Sequence, residues 1–252
     1  SMIGAYKSLS SLGLSPVIQN IECFDFDPSK TVVLPDMVAV TDADVKRLCE
    51  FVRQGGPLVS TGMTWYYDAG MRCRFMEYSP LYECLGGRLK EYAIGADVEP
   101  LKCRDNTLVT EYWVGLVVPY DDAEVIAYHE GRPVALRNEY GRGISWWFPS
   151  MIDIGDRLAE SDLAGFYQMA CGMGADYDGL KFEKLNPDVF VRILKNRSSY
   201  MMLVVNRSSE ASAIKMDGMP ETPVLIDGEG TISRKRIIVP SDGYVVLKWN
   251  SM

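Results

Sequence analysis

Between Lys30 and Trp65 the chain reads KTVVLPDMVAVTDADVKRLCEFVRQGGPLVSTGMTW, and the order of patterns in those residues decides the fold reading. KTVVLPD is a short continuous apolar run of the kind found in a strand buried on both faces. Thr41 and Asp44 then stand at capping-box spacing. Val45, Leu48, Cys49 and Val52 follow at i, i+3, i+4 and i+7, on one face of a helix that Gly55 ends. PLVST is a second strand. A strand, a capped amphipathic helix and another strand make a βαβ unit, which implies a parallel sheet covered by helices.

Upstream, IGAYKSLSSLGL places Ile3, Tyr6 and Leu9 at helical spacing before Gly13, and SPVIQNI is β-branched and reads as extended. The expected order over residues 3–61 is therefore helix, strand, strand, helix, strand. Downstream, YSPLYECLGG predicts a short helix with Ser79 as N-cap, Pro80 at its first position and Gly86 as its stop. NTLVTEYWVGLVVPY and EVIAYHEGRPVALRNEYGRGISWWFPS predict strands, with a hairpin turning at HEGRP and a bend or bulge at Gly141 and Gly143 before Trp146 and Trp147. SDLAGFYQMACGMG returns to helical spacing through Leu163, Phe166, Tyr167 and Ala170. From Lys181 onward only short strands remain, as in a small antiparallel sandwich. The expected architecture is α/β: a mostly parallel sheet with helices on both faces over residues 1–178, then a small all-β sandwich over residues 179–252.

The 252 residues carry a net charge of −8, which argues against a nucleic-acid partner, because phosphate binding needs clustered Lys and Arg. The charge is also uneven. Residues 1–178 hold 15 Lys and Arg against 26 Asp and Glu, and residues 179–252 hold 11 against 8, a change of sign that supports two domains. No apolar run approaches the roughly 20 residues a membrane span requires. Cysteines stand at 23, 49, 73, 84, 103 and 171, with no CxxC pair and one histidine in the chain. That pattern reads as reduced thiols in a cytoplasmic protein with no metal site. Asn-Arg-Ser occurs at Asn196 and at Asn206, a sequon of consequence only in a eukaryotic secretory setting.

A strand running into a sharp turn, as GGPLVSTGMTW does, displays a nucleophile in several α/β enzyme families. Ser60 and Cys73 are the residues able to attack, and His129, in AYHEGRP, is the single histidine available as a base. Cys73 has Arg72 and Arg74 beside it, which would lower its pKa. The paired acids Asp25 and Asp27, and Asp121 and Asp122, read as solvated loop residues. The Gly-x-Gly at Gly141 lacks the strand-to-helix setting of a phosphate site, so no cofactor is expected. TWYYDAG gives a different signal. It sets Trp65, Tyr66, Tyr67 and Asp68 just beyond a strand end, where ligands and partners of open parallel sheets gather, and such aromatics anchor interfaces or stack on sugar rings.

YKSLSSLGLSPVIQNI, KTVVLPDMVAVTDADVKRLCEFVRQGGPLVSTGMT and SPLYECLGGRLKEY resemble the trimerisation domain of family 42 glycoside hydrolases, the bacterial β-galactosidases. PVALRNEYGRGISWWFPS is similar to that family's hairpin, and residues 181–252, with YMMLVVNRS and GYVVLKW, look like its terminal β-sandwich. The resemblance implies a flavodoxin-like fold related to class I glutamine amidotransferases, although the family's domain opens on a strand that has no counterpart before the first helix here. It also implies a non-catalytic accessory region that forms a homo-oligomer, a trimer, and shapes the rim of a neighbouring barrel's active site. No catalytic residue carries over: the two glutamates belong to a TIM barrel, and the amidotransferase cysteine position falls at Gly62 or Met63. Trp65, Tyr66, Tyr67 and Asp68 become the interface or sugar-contact candidates. Two other readings compete: an amidotransferase-like or esterase-like hydrolase using Cys73 or Ser60 with His129, and a carbohydrate-binding module with Tyr200, Tyr244 and Trp249 on one exposed face.

Overall fold

The computed structural model describes residues 1–74, 80–94, 100–154, 161–171, 180–183, 185–186, 188–219 and 221–250. The expected N-cap Ser79 lies outside them. Two compact units form, one from Ser1–Ala5 and Ile18–Cys171, the other from Tyr6–Val17 and Gly172–Met252, so that helix α1 (Met2–Ser11) contributes to both.

The βαβ unit is present. Strand β1 (Val32–Pro35) runs parallel to β2 (Leu58–Thr61) with Val33 beside Val59, and α2 (Asp42–Arg53) connects them. The Thr41 side chain accepts the Asp44 N–H at 3.1 Å. Asp42 and Asp44 in the first turn and Arg53 in the last complement the helix dipole. Val45, Leu48, Phe51 and Val52 are buried on the sheet-facing side. SPVIQNI, by contrast, forms no strand. Val17 and Ile18 are exposed, and Asn20 instead caps a short 3-10 turn at Ile21–Cys23. β-branched residues there have no neighbouring strand to pair with.

Beyond Thr61 the expected flavodoxin-like architecture fails. A two-stranded ribbon of β3 (Gly87–Ile94) and β6 (Trp113–Pro119) stands as a sheet of its own. The main sheet takes β4 (Leu101–Cys103), β5 (Asn106–Leu108), β7 (Glu124–His129), β8 (Arg132–Tyr140) and β9 (Gly143–Phe148), in the order β1-β2-β9-β8-β7-β4-β5. Only β1-β2 and β2-β9 are parallel; the four remaining pairings are antiparallel. The reason is connection length. Parallel neighbours need a crossover of a dozen or more residues, whereas β7 turns into β8 through Glu130 and Gly131, both at positive φ, and β8 into β9 at Gly141. The glycines of GRG thus make a hairpin and not the expected bulge. A Cβ on Gly141 would lie 2.6 Å from the Arg53 carbonyl, so the turn seats against the end of α2.

Helix α3 (Pro80–Leu85) packs with α2 in one core cluster together with Leu34, Leu58, Leu136 and Trp147. Its last carbonyls accept hydrogen bonds from strand side chains: Asn138 Nδ2 to Glu83 and Cys84, and Ser145 Oγ to Cys84. Helix α4 (Leu163–Ala170), N-capped by Asp162, stacks Phe166 edge-on against Phe148.

The second unit alternates as its sequence does. Strands β10 (Lys181–Phe182), β11 (Val189–Asn196), β12 (Ser199–Asn206), β13 (Ser212–Asp217), β14 (Val224–Gly228), β15 (Thr231–Ile232), β16 (Arg236–Val239) and β17 (Tyr244–Asn250) form two four-stranded antiparallel sheets, β10-β13-β16-β15 and β11-β12-β17-β14. Their inward residues share one apolar cluster, in which Tyr200 and Trp249 stack 5.2 Å apart. At one corner the buried Asn206 donates to the carbonyls of Glu210, Val239 and Pro240, while its Oδ1 accepts from Ser208 and Ser212.

Candidate functional site

The turn after β2 is built by its neighbours. Gly62, at φ +66°, donates to the carbonyls of Phe148 and Ser150, and a Cβ there would meet Asp36 Oδ1 at 2.5 Å. Asp36 Oδ1 accepts the Met63 N–H at 2.8 Å, and Thr64 Oγ1 bonds the carbonyls of Thr61 and Leu34. Trp65 then donates its N–H to the Met37 carbonyl at 2.7 Å and takes a left-handed φ of 54°. A bulky residue holds that conformation only where its surroundings enforce it. Here the enforcement drives the indole inward: Trp65 is 5% exposed and belongs to the core cluster.

The four aromatic-strip residues therefore divide. Trp65 is a floor. Tyr66 and Tyr67 are half-buried, packed edge to face at 4.9 Å, and Tyr66 also meets Tyr92 at 5.8 Å. Asp68 is engaged within its own turn, accepting the N–H groups of Gly70 and Arg72 and the Arg72 guanidinium, which together hold its carboxyl below the ordinary range. Trp65 and Tyr66 line a small cleft with Tyr82, Tyr92, Trp147 and Pro149; its volume of about 20 Å³ admits one water and no pyranose ring. Inside this aromatic wall the Trp65 Nε1–H is buried without an acceptor. The hydrogen bond with the Cys73 thiol, aided by burial, pushes the Tyr66 hydroxyl up to about 12, and burial does the same for Tyr82. The wall is thus neutral at any physiological pH.

On the other side of the turn lies a group that sequence reasoning missed. Asp153 is fully buried and accepts the hydroxyls of Thr61 and Tyr167, the latter at 2.5 Å. Burial raises its pKa to about 6 against those two bonds, which lower it. A Cβ on Gly4 would lie 2.0 Å from the Asp153 carbonyl, so the start of α1 is pressed onto this residue. The only signal available in the sequence was an acid set between apolar residues in SMIDIG, directly after an aromatic strand.

No catalytic constellation assembles among the described residues. Ser60 is buried in β2, and His129 ends β7 at the hairpin turn. With β9 and β8 between them, three strand spacings of about 4.8 Å put β2 and β7 roughly 14 Å apart. The Cys73 thiol bonds Tyr66 and Cys73 bridges Tyr67 in the segment after β2, whereas His129 stands at the β7–β8 hairpin. Cys49 and Cys84 are buried and hydrogen-bonded to each other. No cluster of three His, Cys, Asp or Glu suited to a metal ion occurs among the described residues. Nor do Tyr200, Tyr244 and Trp249 share an exposed face: Tyr200 and Trp249 are buried in the sandwich, and only Tyr244 looks outward.

Residues 5–171 match the model of the β-galactosidase trimerisation domain. No curated protein matches the chain. Among solved structures, it is similar to a GH42 β-galactosidase of G. stearothermophilus, with a TM-score of 0.78 at 18% identity over 98% of this chain and 36% of that one. The β-galactosidase of Bacillus circulans sp. alkalophilus gives 0.70 at 18% identity over 97% and 36%. That of Rahnella sp. R3 gives 0.72 at 17% over 98% and 36%. The chain thus spans about a third of the length of these enzymes.

Proposed function

The chain belongs to the β-galactosidase trimerisation domain family, and from that premise we propose that it is the non-catalytic, self-assembling region of a β-galactosidase-like glycoside hydrolase. The family match over residues 5–171 carries this reading. The scattered nucleophiles and the single distant histidine are in keeping with it, since a region that assembles subunits needs no reacting group. Three copies associate through the first unit, residues 179–252 follow as the terminal sandwich of such enzymes, and the assembled surface shapes the rim of a carbohydrate site on the barrel of the same enzyme. The six cysteines, all free thiols, fit a reducing cytoplasm.

We place the strip from Trp65 to Asp68 at the threefold contact or at that rim. Trp65 supplies a rigid floor, Tyr66 and Tyr67 the half-buried aromatic surface, and the Asp68–Arg72 pair holds the loop that presents them. Sedimentation equilibrium tests both claims. The purified chain is expected to sediment with a mass that is a multiple of three chains, and a mass without a factor of three at every concentration would sink the assembly reading. Tyr66→Ala with Tyr67→Ala is expected to lower that mass; if it does not, the contact lies elsewhere.

A further inference from the structure

The two outer faces of the second unit are unlike. One sheet turns Lys181, Lys215, Asp217 and Arg236 to solvent, as a wetted antiparallel sheet does. The other, β11-β12-β17-β14, exposes apolar side chains: Leu194 at 57%, Met201 at 42%, Leu203 at 39% and Val224 at 63%. Strand register sets Arg192, Leu203, Val246 and Asp227 side by side in one row across the four strands, and Leu194, Met201, Lys248 and Val224 in the next. Leu194, Met201 and Leu203 form one apolar patch on β11 and β12, Lys248 on β17 divides it from Val224 on β14, and an exposed apolar patch rimmed by charges marks an interaction face.

We infer that this face pairs with the same face of a second copy of the chain. The register carries the argument, because the rows are self-complementary. A twofold axis parallel to the strands, above the line between β12 and β17, brings β11 of one copy over β14 of the other and keeps each row in place. Arg192 then stands opposite Asp227, twice by symmetry, and Leu203 opposite Val246. In the second row Leu194 covers Val224, and the Lys248 stem lies along Met201 with its ammonium at the edge. The contact is isologous, each residue meeting the partner of its own row, and two sheets stacked in this way pack at the ordinary spacing and angle. Among the exposed residues of these two rows the charges number two cations and one acid, and the acid lies at the edge opposite Arg192, where the twofold needs it.

The surface belongs wholly to the second unit, so the inference does not rest on threefold assembly by the first. Sedimentation equilibrium of the full chain separates the two, since this pairing changes the mass by a factor of two and threefold association by a factor of three. Leu203→Glu is expected to halve the mass with an unchanged far-UV circular dichroism spectrum, whether the starting species holds six chains or two. Arg192→Glu and Asp227→Arg should each weaken the pairing at least tenfold by setting like charges opposite one another, and the double reversal should restore it to within about threefold. Equal masses for the parent chain and Leu203→Glu would overturn the inference. A double reversal no better than either single change would overturn the proposed register.

Discussion

The two units are held together by different means. In the first, the strand ends and helix ends are tied by buried and half-buried polar groups: Thr61 and Tyr167 on Asp153, the half-buried Asp36 on the turn at Met63, Asn138 and Ser145 on the last carbonyls of α3. In the second, the core cluster is apolar and polar ties gather at the Asn206 corner. Polar ties specify which element goes where, because a buried group left without its partner costs its full desolvation. A dry core specifies less by direction and more by alternation, in which each strand needs only to keep its apolar residues on one side.

The sharpest way to break the comparison is to damage each core in its own terms. Leu247→Ala, at a fully buried sandwich position, should cost about 3 kcal/mol, with an equal loss at pH 4.5 and pH 7 in urea unfolding. The first unit should answer to pH instead. The folded pKa of Asp153 lies above its unfolded value of 3.8, so the native state holds its proton more tightly. Its contribution is greatest below pH 4 and is lost as pH rises to about 6, a span of about 3 kcal/mol. Asp153→Asn should flatten that span relative to the parent chain across pH 4–7; an unchanged slope would show that the carboxyl is not the titrating group. Asn206→Ala should cost about 2 kcal/mol by stripping the donor from three carbonyls, and hydrogen exchange should localise the loss to β12, β13 and β16. Trp65→Phe should cost about 1–2 kcal/mol in thermal unfolding, all of it from the cavity left in the core, because the indole N–H it removes has no acceptor to lose.

The same contrast accounts for what could be read in the sequence. VFVRILK, YMMLVVN, SAIKM, RIIVP and GYVVLKW fall in β11, β12, β13, β16 and β17 because strand alternation is a local signal. Helix α2 was legible for the same reason, its cap and its buried face lying within 12 residues. In the first unit the βαβ unit is present but does not extend into a parallel sheet, because the hairpin at HEGRP gives β7 and β8 antiparallel neighbours. That Trp65 turns its ring into the core is not legible locally, since no local pattern reports that Met37 and Asp36 fix the turn. Asp153 was invisible because its partners, Thr61 and Tyr167, are remote in sequence and come together only through the sheet and α4.

Strand β9 pairs on one side with β8, a few residues earlier, and on the other with β2, far upstream. These two pairings are made on different clocks. A hairpin closes within microseconds, whereas a parallel partner so distant must wait for a large loop to be gathered. During synthesis α2 and β2 emerge first, with no β9 to receive them. When β9 arrives it has its hairpin partner at once and an open edge on the other side. That strand carries Trp146, Trp147 and Phe148, so until β2 docks the hairpin leaves an apolar, aromatic edge without its partner.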